Sequence, residues 1–84
     1  MEKMRGRIVS SKAGHDKGCF FVIVADEFPF AFICDGKRRP LDNPKRKNPV
    51  HLVSLDERLN DEAFRSDRAL RKALAQVRAK HNKE

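Results

Sequence analysis

The chain has 84 residues, which is the size of one small domain. It contains 19 Lys and Arg against 12 Asp and Glu, and the net charge of +7 favours a polyanionic partner. No apolar run approaches the roughly 18 residues that a membrane-spanning helix needs, and the first residues lack the apolar stretch of a signal peptide. We therefore expect a cytoplasmic protein without a membrane partner.

Two predicted strands joined by a polar loop begin the chain. The first covers residues 5–11, and the second covers 19–26, whose nearly continuous apolar run is typical of a strand buried on both faces. Gly18 lies where the loop meets the second strand, a place that often requires a positive φ or close backbone packing. We expect Gly18 to tolerate substitution poorly, although on spacing alone Gly14 and Gly18 are equally well explained as ordinary turn residues.

Three more short strands are predicted before residue 55. The third covers residues 30–34, and the Asp35-Gly36 pair after it predicts a tight type I′ hairpin turn. A fourth strand then covers 37–41, a loop covers 43–49, and a last strand covers 50–55. Five short strands in about 50 residues predict a small barrel, because closure removes exposed sheet edges.

The composition changes after the last predicted strand. Residues 56–67 carry five carboxylates and two arginines, a net charge of −3. In this acidic linker Asn60 is a candidate cap for one helical turn at 61–64, and Ser66 is a second candidate N-cap.

A helix is predicted from residue 67 to residue 80, because apolar residues recur at i, i+3, i+4 and i+7. Such a helix is too short to be stable alone, so its apolar stripe is expected to dock on the barrel or on a partner. The stripe consists of Leu70, Ala73, Leu74 and Val77, and the opposite, solvated face carries Arg71, Lys72 and Arg78. The expected domain organisation is a barrel at 1–55 followed by an acidic linker and an amphipathic helix at 56–84.

The stretch from Gly6 to Val24 resembles a KOW motif, the nucleic-acid-binding element of NusG-type transcription factors and several ribosomal proteins. The motif contains one nearly obligatory glycine, which Gly18 matches. Downstream, ICDGK at 33–37 and PKRKNPVHL at 44–52 resemble the archaeal and eukaryotic large-subunit ribosomal proteins of the fourteen-e group and a set of short bacterial KOW proteins. The resemblance covers residues 5–55 and implies a small five-stranded SH3-like barrel that binds RNA.

Positive charge is concentrated in two segments. Residues 37–51 hold six Lys and Arg against one Asp, a net charge of +5, and residues 1–20 have a net charge of +3. If both segments lie at one end of a barrel, paired arginines and glycine backbone amides suit contacts with phosphate, whereas a merely solvated surface is the plainer alternative. The candidate RNA-binding residues are Lys12, Gly14, His15, Lys17, Gly18, Lys37, Arg38, Arg39, Lys45, Arg46, Lys47 and Asn48.

The resemblance and the charge pattern together predict an RNA-binding module of the translation machinery that contacts ribosomal RNA or the ribosome, with the C-terminal helix available to a ribosomal protein. A NusG-like transcription or protein-interaction module is the main alternative. A DNA-binding protein is a third, although no helix-turn-helix or zinc finger is present in the sequence. The resemblance to the family ends at Leu55. The sequence is therefore compatible with a permanent ribosomal subunit and also with a transient, ribosome-associated factor.

The aromatic residues favour recognition of phosphate and shape over base stacking. All six are phenylalanines, four of them lie within predicted strands, and Phe28 is the one placed at a turn for exposure. Proteins that read single strands by stacking generally use several aromatic platforms, so folded RNA is the better candidate.

Catalysis, a metal and a cofactor are not expected. His15 and Asp16 are neighbours in a loop and need not face each other, and no phosphate loop or dinucleotide fingerprint is present. Cys19 and Cys34 do not form a CxxC pair, so we expect two free thiols within the sheet.

Overall fold

Five antiparallel strands followed by one C-terminal helix form the protein, in a computed structural model that describes residues 5–12 and 18–81. The predicted class, mostly β with a C-terminal helix, is confirmed. The strands are β1 (Arg7–Ser11), β2 (Phe20–Glu27), β3 (Phe30–Cys34), β4 (Lys45–Lys47) and β5 (Leu52–Arg58). Two short 3₁₀ helices cover Pro49–His51 and Asp61–Phe64, and helix α1 covers Asp67–His81.

The sheet is strongly curved, as the connection between its two edge strands shows. The strand order is β4-β3-β2-β1-β5, so residues 48–51 alone join opposite edges. Five Cα steps span at most about 18 Å, whereas the edges of a flat five-stranded sheet are about 19 Å apart across the strands alone. No pairing joins β4 to β5 in the described part of the chain, so this curved sheet is open and the closed barrel is not confirmed.

The fourth strand does not lie where the sequence predicted it. Residues 37–41 belong to a loop, and β4 lies within the segment 43–49 that was predicted to be a loop. The Oδ1 atom of Asp35 accepts hydrogen bonds from the backbone N–H groups of Lys37 at 2.9 Å and Arg39 at 3.0 Å. These bonds use donors that a strand would direct to its neighbour, and Pro40 has no N–H group to contribute.

The predicted type I′ turn at Asp35-Gly36 is also wrong. That turn requires positive φ at both central residues. Among the described residues only glycines have positive φ, and Gly36 is one of them at +80°. The β3–β4 connection is therefore a long loop rather than a tight hairpin.

The central strands β1, β2 and β3 contribute buried residues to both faces of the sheet, as the apolar run of β2 predicted. Ile8, Val22 and Cys34 pack against the helix, and the other face carries a second cluster. The helix contributes Leu70, Leu74 and Val77 to the first cluster, and the second contains Val9, Phe21, Ile23, Ala31 and Ile33. The helical stripe therefore docks on the sheet, as predicted.

Both predicted caps are present in the C-terminal segment. The side chain of Asn60 accepts a hydrogen bond from the backbone of Glu62 at 3.2 Å, and Ser66 Oγ accepts one from Ala69 at 3.1 Å. The second of these caps begins α1.

Within residues 5–12 and 18–81, no helix has the length and apolar character that crossing a bilayer requires.

Gly18 and Gly36 are expected to respond differently to alanine. Both have positive φ, +83° and +80°, which costs alanine about 1–2 kcal/mol. A Cβ at Gly18 would meet no atom within 4 Å, whereas at Gly36 it would lie 2.5 Å from the carbonyl oxygen of Asp67. We expect Gly18→Ala to lower the free energy of unfolding by about 1–2 kcal/mol and Gly36→Ala by about 2–5 kcal/mol.

Denaturant titration of the two variants measures this difference. Gly18→Asn is the control for backbone conformation, because asparagine tolerates positive φ and should be less costly than alanine. If Gly18→Ala and Gly36→Ala lower the free energy of unfolding equally, the close approach of Gly36 to the helix does not contribute to stability.

Candidate nucleic-acid interface

Two loops that carry candidate residues leave the sheet at the same end. In the antiparallel register Ser10 lies opposite Phe20, and Val22 lies opposite Cys34. The connection that follows β1 and the connection that follows β3 therefore emerge together, as the sequence argument required. Strand β2 lies between β1 and β3, so one strand separates the two connections across the sheet.

The β1–β2 loop is described only at its two ends. Gly14, His15 and Lys17 lie outside the described residues. Lys12 is exposed, and its backbone N–H donates to the carbonyl of His51 at 2.8 Å. Gly18 is exposed and donates to the carbonyl of Ser11 at 3.0 Å, so its positive φ closes the loop at the start of β2.

Three consecutive candidate residues lie within residues 35–41, which we call the basic loop. Lys37 and Arg38 are exposed, and Arg39 is half-buried. The carbonyl of Arg39 accepts hydrogen bonds from the N–H groups of Asp35 and Gly36, each at 3.1 Å. Together with the two bonds to Asp35 Oδ1, these contacts close the loop on itself and hold its backbone in one shape.

The basic loop is also tied to the start of the helix, through contacts we call the loop–helix junction. Asp67 Oδ1 accepts a hydrogen bond from the backbone N–H of Leu41 at 2.7 Å, and the guanidinium of Arg71 donates to the carbonyl of Gly36 at 2.9 Å. Gly36 is buried against the backbone of Asp67. The expectation that the Arg71 face of the helix is merely solvated is therefore wrong for Arg71.

The junction was not predicted from the sequence, because its contacts join residues 26 and 35 positions apart. One local signal was present. Asp67 follows Ser66 at the helix start, where a carboxylate is favourable and can also accept a bond from another segment.

The basic residues of β4 divide between the two faces of the sheet. Arg46 lies opposite Phe32, whereas Lys45 and Lys47 lie opposite Ile33 and Ala31. Successive residues of a strand point to opposite faces, so these three side chains do not form one continuous row.

Arg46 in the middle of this strand and Asn48 just after it make specific contacts. The guanidinium carbon of Arg46 lies 4.6 Å from the centre of the Phe30 ring, a cation–π distance. The side-chain oxygen of Asn48 accepts a hydrogen bond from Val50 at 3.1 Å and caps the first 3₁₀ helix. Its carbonyl oxygen therefore has a structural role, and its amide group is the part left for an RNA contact.

Cys34 lies buried beneath the basic loop. Its thiol donates a hydrogen bond to the carbonyl of Pro40 at 3.3 Å, and both cysteines are free, as predicted. Burial raises the pKa of Cys34 from its usual 9.0 to about 11, with smaller contributions from the carboxylates of Asp67, Asp35 and Asp42. The thiol is therefore neutral at physiological pH.

In the described part of the chain, no three His, Cys, Asp or Glu side chains are grouped to hold a metal ion.

The raised pKa of Cys34 gives a pH dependence of stability. The folded protein holds the thiol proton more tightly than the unfolded chain, so this contribution is complete below pH 9 and is lost as the pH rises from 9.0 to about 11. We expect the difference in unfolding free energy between the wild type and Cys34→Ala to shrink across this range. A difference that stays constant between about pH 8 and pH 11 would contradict the assignment.

Comparison with known proteins does not assign the chain to a family. No family model matches it, and no curated protein matches it. The resemblance to KOW motifs therefore rests on the sequence segments quoted above and on Gly18, whose φ of +83° is the conformation that favours glycine.

Proposed function

We propose that the chain is an RNA-binding module of the translation machinery that contacts ribosomal RNA through its phosphates and its folded shape. The observation that carries this proposal is the basic loop. It presents exposed Lys37 and Arg38 on a backbone fixed by Asp35 and by the loop–helix junction. Because the backbone of the loop is ordered before binding, the protein loses less conformational entropy when it binds a polyanion.

The chemistry of these side chains suits phosphate. The guanidinium of an arginine offers planar, paired donors that match phosphate oxygens, and a lysine acts as a compact positive charge. The β1–β2 connection, with Lys12 at its start and Gly18 at its end, leaves the sheet on the same side as the basic loop. A folded RNA could therefore contact both connections at once.

Two carboxylates of the acidic part of the chain pair with basic residues outside the basic loop. Asp61 forms an ion pair with Arg5 at 3.5 Å, and Glu57 forms one with Lys80. Both pairs lie at the surface and contribute little to stability. Asp67 of the same acidic segment lies at the loop–helix junction, where the guanidinium of Arg71 is also present.

The proposal includes an SH3-like barrel of the KOW type. A five-stranded antiparallel sheet, curved enough for residues 48–51 to join its two edges, supports it. The position of Gly18, at positive φ where the β1–β2 loop meets β2, supports the correspondence with the KOW glycine.

The NusG-like alternative has less support. A protein-interaction module would be favoured if the helical stripe faced solvent, ready for a partner. Leu70, Leu74 and Val77 are instead buried against the sheet. The apolar stripe is therefore used within the domain.

A salt titration of affinity for ribosomal RNA fragments tests the proposal. For phosphate contacts, log affinity falls linearly with log salt by about 0.7–0.9 per contact. We expect the double variant Lys37→Ala/Arg38→Ala to bind more weakly and to reduce the slope by about 1–2. The matched control is Lys72→Ala/Arg78→Ala, which removes the same charge from exposed positions of the helix and should change the slope less.

Two results would contradict the proposal. If the helix control loses as much slope as the loop variant, the effect is one of net charge and not of the basic loop. If the wild type binds these fragments without a salt dependence, phosphates do not supply the affinity.

A further inference from the structure

The helix residue Arg71 contacts the basic loop and is at the same time exposed to solvent. Its guanidinium donates to the carbonyl of Gly36 at 2.9 Å. A Cβ placed on Gly36 would lie 3.1 Å from the Cγ of Arg71, so the stem of this side chain also lies against the loop. Arg71 nevertheless remains exposed as a whole. Its charge is therefore held at the surface, in an orientation to which Gly36 contributes.

The chemistry of a guanidinium allows this bond and a ligand at the same time. A guanidinium carries five N–H groups in a planar fork, and a hydrogen bond to one carbonyl uses one of them. Two others can donate in parallel to two oxygens of one phosphate. Because the carbonyl of Gly36 already orients the fork, Arg71 loses less conformational freedom when it binds such a group.

Arg71 adds a third cation to the surface of the basic loop. Lys37 and Arg38 are exposed and directly follow Gly36 in the chain. Their Cα atoms therefore lie at most about 4 and 8 Å from the Cα of Gly36, the residue to which Arg71 is bonded. We call Lys37, Arg38 and Arg71 the three-cation patch.

Two carboxylates beside this patch are engaged with the backbone. Asp35 Oδ1 accepts hydrogen bonds from two N–H groups of the loop, and Asp67 Oδ1 accepts one from Leu41. Asp67 also lies in the first turn of α1, where the helix dipole is positive. Both carboxylate residues are half-buried, whereas the three cations are exposed. An anion that approaches the patch from solvent therefore meets the cations first.

We propose that Arg71 is a phosphate-binding residue of the RNA interface, oriented by the carbonyl of Gly36 and acting beside Lys37 and Arg38. This proposal rests on the RNA-binding function proposed above and extends its contact surface from the basic loop onto the helix. Since the loop–helix junction fixes where the three cations begin, the patch suits the phosphates of a folded RNA.

Two substitutions of Arg71 separate a phosphate contact from a structural bond. Arg71→Gln removes the charge but keeps an N–H donor, whereas Arg71→Lys keeps the charge but not the planar fork. We expect Arg71→Gln to reduce the slope of log affinity against log salt, measured with ribosomal RNA fragments, by about 0.7–0.9, the value of one phosphate contact. Arg71→Lys should keep the slope and bind about 2- to 10-fold more weakly, as expected for the loss of one hydrogen bond.

Lys72→Gln is the matched control. Lys72 is the next residue of the helix, is exposed and carries the same charge, but it lies about 100° further around the helix axis. It lines a groove between α1 and the acidic residues Glu57 and Glu62. We expect Lys72→Gln to change the slope less than half as much as Arg71→Gln does. Denaturant titration of each variant gives its folded fraction, so that affinities are compared at equal concentrations of folded protein.

The outcomes separate this proposal from the function on which it rests. If Arg71→Gln keeps the full slope while Lys37→Ala/Arg38→Ala reduces it, Arg71 serves only the fold, and the RNA-binding proposal stands without it. Equal reductions in Arg71→Gln and Lys72→Gln, or in Arg71→Gln and Arg71→Lys, also overturn the assignment of Arg71, because the effect then comes from net charge or from the junction. If the wild type binds without a salt dependence, both proposals fail.

Discussion

The close approach of Gly36 to the first turn of α1 is the constraint on which the candidate interface depends. A residue with a Cβ at this position would overlap the carbonyl oxygen of Asp67. Because glycine allows the approach, Arg71 can reach the carbonyl of Gly36, and Asp67 can accept the N–H of Leu41. The helix therefore covers one face of the sheet and also fixes the shape of the basic loop, so stability and binding share one set of contacts.

Those parts of the fold that depend on local pattern could be predicted from the sequence. The apolar run at Phe21, Val22 and Ile23 indicated a strand buried on both faces, and the spacing of Leu70 and Leu74 indicated the buried face of a helix. Both follow from the repeat of the secondary structure and need no knowledge of distant residues. The position of β4 could not be predicted in the same way, because Asp35 and Asp67 compete with a strand for the backbone donors of residues 37–41.

The candidate site, like the fold, could be predicted from the sequence only in part. Composition alone indicated the basic residues, and the Asp35-Gly36 pair indicated a turn, although of the wrong type. Which residues meet was not predictable, because Arg71 joins the loop across 35 positions. Phe28 illustrates the limit. Its turn position indicated exposure, which the structure confirms, but the residues that lie near it, such as Val9 and Leu52, come from distant parts of the sequence.

Crosslinking of the protein to nucleic acid in its own cells, followed by sequencing of the attached molecules, tests the central claim most directly. The account predicts that ribosomal RNA dominates the recovered sequences for the wild type. It also predicts that Lys37→Ala/Arg38→Ala recovers much less of it, at equal protein level, than Lys72→Ala/Arg78→Ala does. Recovery of DNA, or an unchanged yield of ribosomal RNA from the loop variant, would contradict it.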